Sequence, residues 1–311
     1  MTKRAAGYAS AGAELAGDSS HGLHARLRAF ETYFARVLPA ATVTPKRLHA
    51  AMRYGALAPG KRLRPLLVLT ACEAAGGAWR RALPAAAAVE CVHAFSLIHD
   101  DLPAMDDDDY RRGRLTTHRK YGDALGVLAG DALLALAFET LPRLAGPGLA
   151  AARVNDGVRV LAAAAGSREL VGGQALDLEA EGKKATARGV REIHLRKTGA
   201  LISASMELGA IAAGAGPKKR ALLAAAGRRL GLAFQIHDDL LNRGASLERL
   251  GKRAGTDEKR GKATWVRAVG EAQASDDAAA LYMDALETVY AMGEKATPLC
   301  RLIVAVAERR R

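Results

Sequence analysis

Cysteine is scarce: the chain has three thiols, Cys72, Cys91 and Cys300, in 311 residues. The number is odd and the spacing wide, so no disulfide framework or zinc-ligand pattern follows, and a reducing cytoplasmic setting is expected. Aromatic residues make up only 5%. Strand-like alternation is rare as well, which weighs against a β architecture. No run reaches the roughly 18 uncharged apolar residues that a membrane span needs, so no transmembrane segment is expected. A secretory signal is not expected either. Residues 1–20 are rich in Ala, Gly and Ser, Glu14 interrupts them, and no leucine-rich core follows Lys3 and Arg4. They read as a disordered tail. No linker or repeat of fixed period divides the rest, so residues 21–311 are expected to form one domain.

Half of the residues are apolar, alanine is abundant, and helical periodicity recurs. This predicts an all-α protein. The net charge of +13 raises a nucleic-acid or membrane-surface role. Yet the cations are scattered, concentrating only at 61–64, 111–120, 218–220 and 252–262, with no aromatic interleaving and no DNA-reading motif. A nucleic-acid partner is not expected. Two of these clusters lie beside acidic motifs and read as phosphate-binding.

The stretch from Glu90 to Gly113 organises the chain. Six aspartates fall within ten residues, Asp100 to Asp109, and Arg111 and Arg112 follow at once. Carboxylates crowded at the end of an apolar helix repel one another unless a cation neutralises them. An all-oxygen, all-aspartate set suits a hard ion such as Mg²⁺. On one straight helix Asp100 and Asp106 would lie about 240° apart, too far round to share an ion. Pro103 disfavours helical geometry at Leu102, so the helix is expected to end there and the chain to loop back, turning Asp106 toward Asp100.

A second acidic site runs from Phe234 to Asn242. Gln235, Asp238 and Asn242 share one helical face, with Asp239 beside them. Two His-Asp-Asp motifs, each closing an apolar helix, predict two helices presenting acid to one cavity. Elsewhere, Gly60-Lys61-Arg62-Leu63-Arg64-Pro65 places three cations at a helix start, where backbone N–H groups also favour anions. Gly172-Gly173-Gln174 puts a costly glycine pair inside a helical stretch, which implies close approach by a neighbour. Lys197-Thr198-Gly199 and the basic segments flanking Asp257, which include Lys252 and Gly261-Lys262, complete the set.

Taken together and in this order, these motifs strongly resemble those of the trans-isoprenyl diphosphate synthases, with bacterial farnesyl diphosphate synthases the nearest group. The likeness runs from about Leu23 to the C-terminus. It implies a bundle of long antiparallel helices around a deep central cavity. It also implies three Mg²⁺ ions, with Mn²⁺ able to replace them, ligated by Asp100, Asp106 and Asp238 and supported by Asp101 and Asp239. Arg111, Lys197, Gln235 and Lys252 match positions that contact an allylic diphosphate, Lys197 among the catalytic group. Lys61, Arg64, His93 and Arg112 match the pocket for isopentenyl diphosphate. Thr198 and Gln174 match positions lining the reacting end. Phe95 matches the position that limits product length, which implies a 15-carbon product, the 20-carbon product being the alternative. The family is commonly dimeric, so a homodimer is implied.

Three positions depart from the family pattern. Asn242 replaces the last aspartate of the second motif, Pro59 replaces a glycine, and Arg243-Gly244-Ala245-Ser246 lacks a commonly found acid. Activity is expected to survive, because Asp238 matches the direct ligand. A terpene cyclase would need Ser or Thr at Asn242 and Glu at Ser246. A phosphohydrolase using His99 and His237 as ligands, or a non-catalytic synthase subunit, are the remaining rivals.

Overall fold

The stretches with least charge become the innermost helices. The computed structural model describes residues 20–146, 148–243 and 262–309; all of the expected tail but Ser20 lies outside them. Helices α1 (Ser20–Val37), α2 (Lys46–Ala56) and α3 (Leu63–Ala74) lead to α4 (Leu83–Asp100), whose Ala85 to Cys91 are all buried. Small side chains on every face of α4 let α3 and the long α6 (Asp123–Thr140) pack against it. A short α5 (Thr117–Tyr121) precedes α6.

Helices α7 (Ala151–Ala165), α8 (Leu170–Ala180) and α9 (Ala187–His194) follow. A π-helical turn, Leu195–Gly199, then leads directly into α10 (Ala200–Ala212), which is buried almost throughout and packs on α3. Helix α11 (Pro217–Arg243) lies against α10 and against α13 (Glu271–Tyr290), with α12 (Trp265–Val269) between them in sequence and α14 (Thr297–Ala307) closing the chain. Gly231 permits part of this contact, since a Cβ there would lie 2.5 Å from Gly199 Cα. The expected all-α bundle is therefore observed. Among the described residues the bundle also carries a two-stranded hairpin, β1 (Tyr110–Arg111) and β2 (Arg114–Leu115). It turns on the positive φ of Arg112 and Gly113, as the tightest right-twisted hairpins require.

By length and composition alone, two 22-residue stretches among the described residues, Trp79–Asp100 and Asp123–Leu144, could span a bilayer. Neither is an unbroken uncharged run: Glu90 interrupts the first and Asp131 the second. The first is a core helix, 72% buried in its most apolar window, whereas the second is 44% buried and exposes Val127 and Leu128.

Candidate active site

Helix α4 ends at Asp100, and the backbone N–H of Asp106 donates to the Asp100 carbonyl at 2.8 Å. The chain has looped back as Pro103 predicts, with Asp107 in the left-handed region. Among the described residues no hydrogen bond or salt bridge holds the Asp100 carboxylate. Burial raises its pKa, with the Asp106 charge adding to the shift and Lys197, Arg111 and Lys262 opposing it. Lys262 Nζ lies 3.4 Å from Asp106 Oδ1, and Lys197 Nζ lies 2.7 Å from Asp177 Oδ2. Asp101 is turned elsewhere. It is 3% exposed and accepts Arg111 Nε at 2.7 and 2.9 Å, so it orients that guanidinium.

The second motif sits on the last turns of α11. Asp238 pairs with Arg309 at 2.7 Å; burial raises its pKa, and the charges of Arg309 and Lys61 work against that. Arg309 also donates to the Phe234 carbonyl at 2.9 Å and lies over the Phe234 ring at 3.6 Å. Asp239 accepts the Trp265 backbone N–H at 2.7 Å and lies 3.5 Å from His194 Nε2, so it ties α11 to α12 and α9. Thr198 donates to Gln235 at 2.8 Å, fixing the π turn to α11. Gly173 makes room for that turn, because a Cβ there would lie 2.7 Å from Lys197 Cα. Gln174 is buried beside it, with Oε1 unpaired. Asn242 is exposed at the end of α11.

A cationic cluster forms a third wall. Arg64 donates to His93 Nε2 at 3.3 Å. Burial lowers the Arg64 pKa to about 10 and, with the Arg64 charge next, holds His93 well below the usual imidazole value, so His93 is neutral. Burial lowers Lys61 as well, and Arg309 adds to that effect. Arg112, carried by the hairpin, donates to the Pro59 carbonyl at 2.6 Å, and Gly60 leaves space for its guanidinium.

The described residues include no three acidic or imidazole side chains close enough to hold an ion alone. That arrangement suits Mg²⁺, which takes one or two carboxylates and fills its remaining positions with water and substrate phosphate oxygens. Asp100, half-buried and without a hydrogen-bond partner among the described residues, is the carboxylate that most needs such an ion. Lys252, Ser246, Asp257 and Gly261 lie outside the described residues. Lys262, Asp177 and Arg309 were not singled out as site residues by sequence; only Lys262 carried a local signal, in its Gly-Lys pair.

Phe95 is buried, 6% exposed, and its ring meets the His99 ring edge-on at 4.8 Å. His99 in turn contacts the Val127 carbonyl of α6 at 3.0 Å. The imidazole is thus packed at the helix interface, unlike a ligand of a His-Asp phosphohydrolase.

A family model described as polyprenyl synthetase matches residues 45–302. The chain is 46% identical over 250 residues to farnesyl diphosphate synthase of Escherichia coli, covering 78% of this chain and 82% of that protein. It is 42% identical over 271 residues to geranylgeranyl pyrophosphate synthase 4 of Arabidopsis thaliana, covering 86% and 72%. Among solved structures, the Helicobacter pylori geranyltransferase complexed with magnesium and isoprenyl diphosphate superposes with a TM-score of 0.81 at 29% identity, covering 93% of this chain and 96% of the other.

Proposed function

Because this chain belongs to the polyprenyl synthetase family of prenyltransferases, we propose that it condenses isopentenyl diphosphate with dimethylallyl and then geranyl diphosphate to give the 15-carbon farnesyl diphosphate. The observation that carries this reading is the separation of two anion sites. One lies at Asp100, Asp106, Lys197 and Lys262, where carboxylates and cations are brought together. The other is the cluster of Lys61, Arg64 and Arg112, whose nearby carboxylates Glu90 and Asp238 are paired with Arg62 and Arg309. One site suits a metal-bound diphosphate and the other a diphosphate held by cations alone.

Bound Mg²⁺, held by Asp100, Asp106 and Asp238 and replaceable by Mn²⁺, would supply Lewis-acid stabilisation of the leaving group. The residues of the chain do the rest. Lys197, Lys262 and Arg111 stabilise negative charge as the allylic C–O bond breaks and the diphosphate leaves with the electron pair. Lys61, Arg64 and Arg112 hold isopentenyl diphosphate so that its alkene attacks the allylic cation and forms the new C–C bond. Loss of a proton from the resulting cation to the departed diphosphate then regenerates an alkene. Neutral His93 accepts a hydrogen bond from Arg64 and keeps that guanidinium in place.

Phe95 supports the 15-carbon product. Five residues before Asp100 is about 7.5 Å down α4, where a buried ring blocks a longer chain. A 20-carbon product is the second reading, favoured by the geranylgeranyl synthases among the curated relatives. The exposed apolar residues of α6, Val127 and Leu128, support a homodimer formed through that helix. Incubation with isopentenyl and geranyl diphosphates, followed by chromatography of the dephosphorylated products, tests this assignment. Farnesol is expected; geranylgeraniol as the main product supports the second reading, and geraniol alone contradicts both.

A further inference from the structure

Arg62 lies between two proposed substrate-binding cations but points away from them. Its backbone is left-handed (φ 48°, ψ 38°) at the cap of α3, and the residue is 7% exposed. A non-glycine residue in that conformation costs about 1 kcal/mol or more, so something must hold it there. The guanidinium provides the hold. It donates to Glu90 Oε1 at 2.8 Å, to the Ala56 carbonyl at 3.1 Å and to the Ala58 carbonyl at 3.0 Å. These bonds join the end of α2, the loop after it and the middle of α4.

Glu90 is itself 4% exposed, and its second oxygen has no hydrogen-bond partner. It is a buried carboxylate whose charge reaches both Arg64 and Arg112. One turn further along α4, His93 receives Arg64. Two positions at the start of α3, its cap Arg62 and Arg64 of its first turn, thus dock on two positions of one helix face, Glu90 and His93. The left-handed cap at Arg62 is what lets the start of α3 make both contacts while Lys61 and Arg64 stay in the cationic cluster.

We infer that the Arg62–Glu90 pair is a positioning device for the isopentenyl diphosphate pocket: neither residue touches substrate, and together they set the start of α3, from which Lys61 and Arg64 do. The inference rests on the condensation reading above and assigns a role to two residues that reading does not use. Charge alone makes an opposite prediction for one variant. Glu90→Gln removes a negative charge from beneath the cations, which by itself would tighten anion binding. Loss of the anchor loosens it.

The experiment is steady-state kinetics of the full-length protein, varying each substrate in turn, on wild type, Arg62→Lys and Glu90→Gln, with thermal melting of each. Condensation by the wild type tests the reading above; the ratio of variant to wild-type constants tests the pair. Arg62→Lys keeps the charge but loses the planar fork, so KM for isopentenyl diphosphate should rise about tenfold or more while KM for geranyl diphosphate stays within about twofold. Glu90→Gln preserves shape, so it remains informative should Arg62→Lys fail to fold, and it should raise the same KM. The inference is overturned if Glu90→Gln tightens isopentenyl diphosphate binding. It is also overturned if KM for both substrates rises together or if neither moves.

Discussion

Arg309, two residues beyond the end of α14, places its guanidinium 2.7 Å from the Asp238 carboxylate. It occupies the electrostatic role that a metal ion would take at the second acidic motif. The half-buried arginine is therefore expected to compete with the ion. Arg309→Gln is expected to lower the Mg²⁺ concentration needed for half-maximal turnover, by about twofold to tenfold for a partly screened pair. A metal titration checks this, and a raised requirement would count against the competition.

Loss of a proposed metal-binding carboxylate should be far more severe. Asp100→Ala, Asp106→Ala and Asp238→Ala are each expected to lower turnover on the order of 10³-fold or more, because several kcal/mol of transition-state stabilisation disappear. Circular dichroism should show folded variants. A folded Asp100→Ala with near-normal turnover would refute the assignment of that residue.

The packing around the π turn leads to a different kind of variant. A methyl group at Gly173 would press on the Lys197 backbone. Gly173→Ala should therefore displace Lys197 and Thr198 and cost about 1–3 kcal/mol of stability, and turnover should fall with it. If the melting temperature and turnover both stay at wild-type values, the contact does not constrain the turn.

Much of this site could be read from the sequence, and the reasons differ by residue. Pro103 fixed the end of α4 in advance, because its ring excludes helix at the preceding position whatever the tertiary context. The costly pair Gly172-Gly173 announced a close neighbour without identifying it as the Lys197 backbone. The π turn at Leu195–Gly199 left no mark, since one extra residue in a helix does not change the local pattern of apolar positions. The left-handed Arg62 was also hidden: arginine has no preference for that region, and Glu90, Glu31 and two carbonyls, all distant or unmarked in sequence, hold it there. Sequence order likewise could not show that Asp101 serves Arg111 and Asp239 serves Trp265, because adjacent aspartates look alike until their partners are in place.

One buried and one half-buried imidazole make stability depend on pH. Burial lowers the pKa of His194 to about 4, and burial with the Arg309 and Lys61 charges does the same for His237. The unfolded chain therefore binds more protons than the folded chain between about pH 6.5 and 4, and stability falls as pH falls through that window. The melting temperature should decline from pH 6.5 to pH 4, and His194→Gln should make the decline shallower. A melting temperature flat across that range would contradict the buried neutral state.

Product length isolates Phe95. If its ring stops elongation, Phe95→Ala should shift the main product from 15 to 20 carbons or longer, since the ring's removal opens space along α4. Chromatography of dephosphorylated products reads the change. An unaltered distribution would remove Phe95 from this role and leave it as packing against His99.

The central claim is that two diphosphates bind at separate sites and are joined by carbon–carbon bond formation. The stoichiometry of diphosphate release tests it most directly. With isopentenyl and geranyl diphosphates and Mg²⁺, one inorganic diphosphate should appear for each isopentenyl diphosphate consumed, and none when isopentenyl diphosphate is omitted. Release that continues at the same rate without isopentenyl diphosphate would mark a hydrolase and contradict the account.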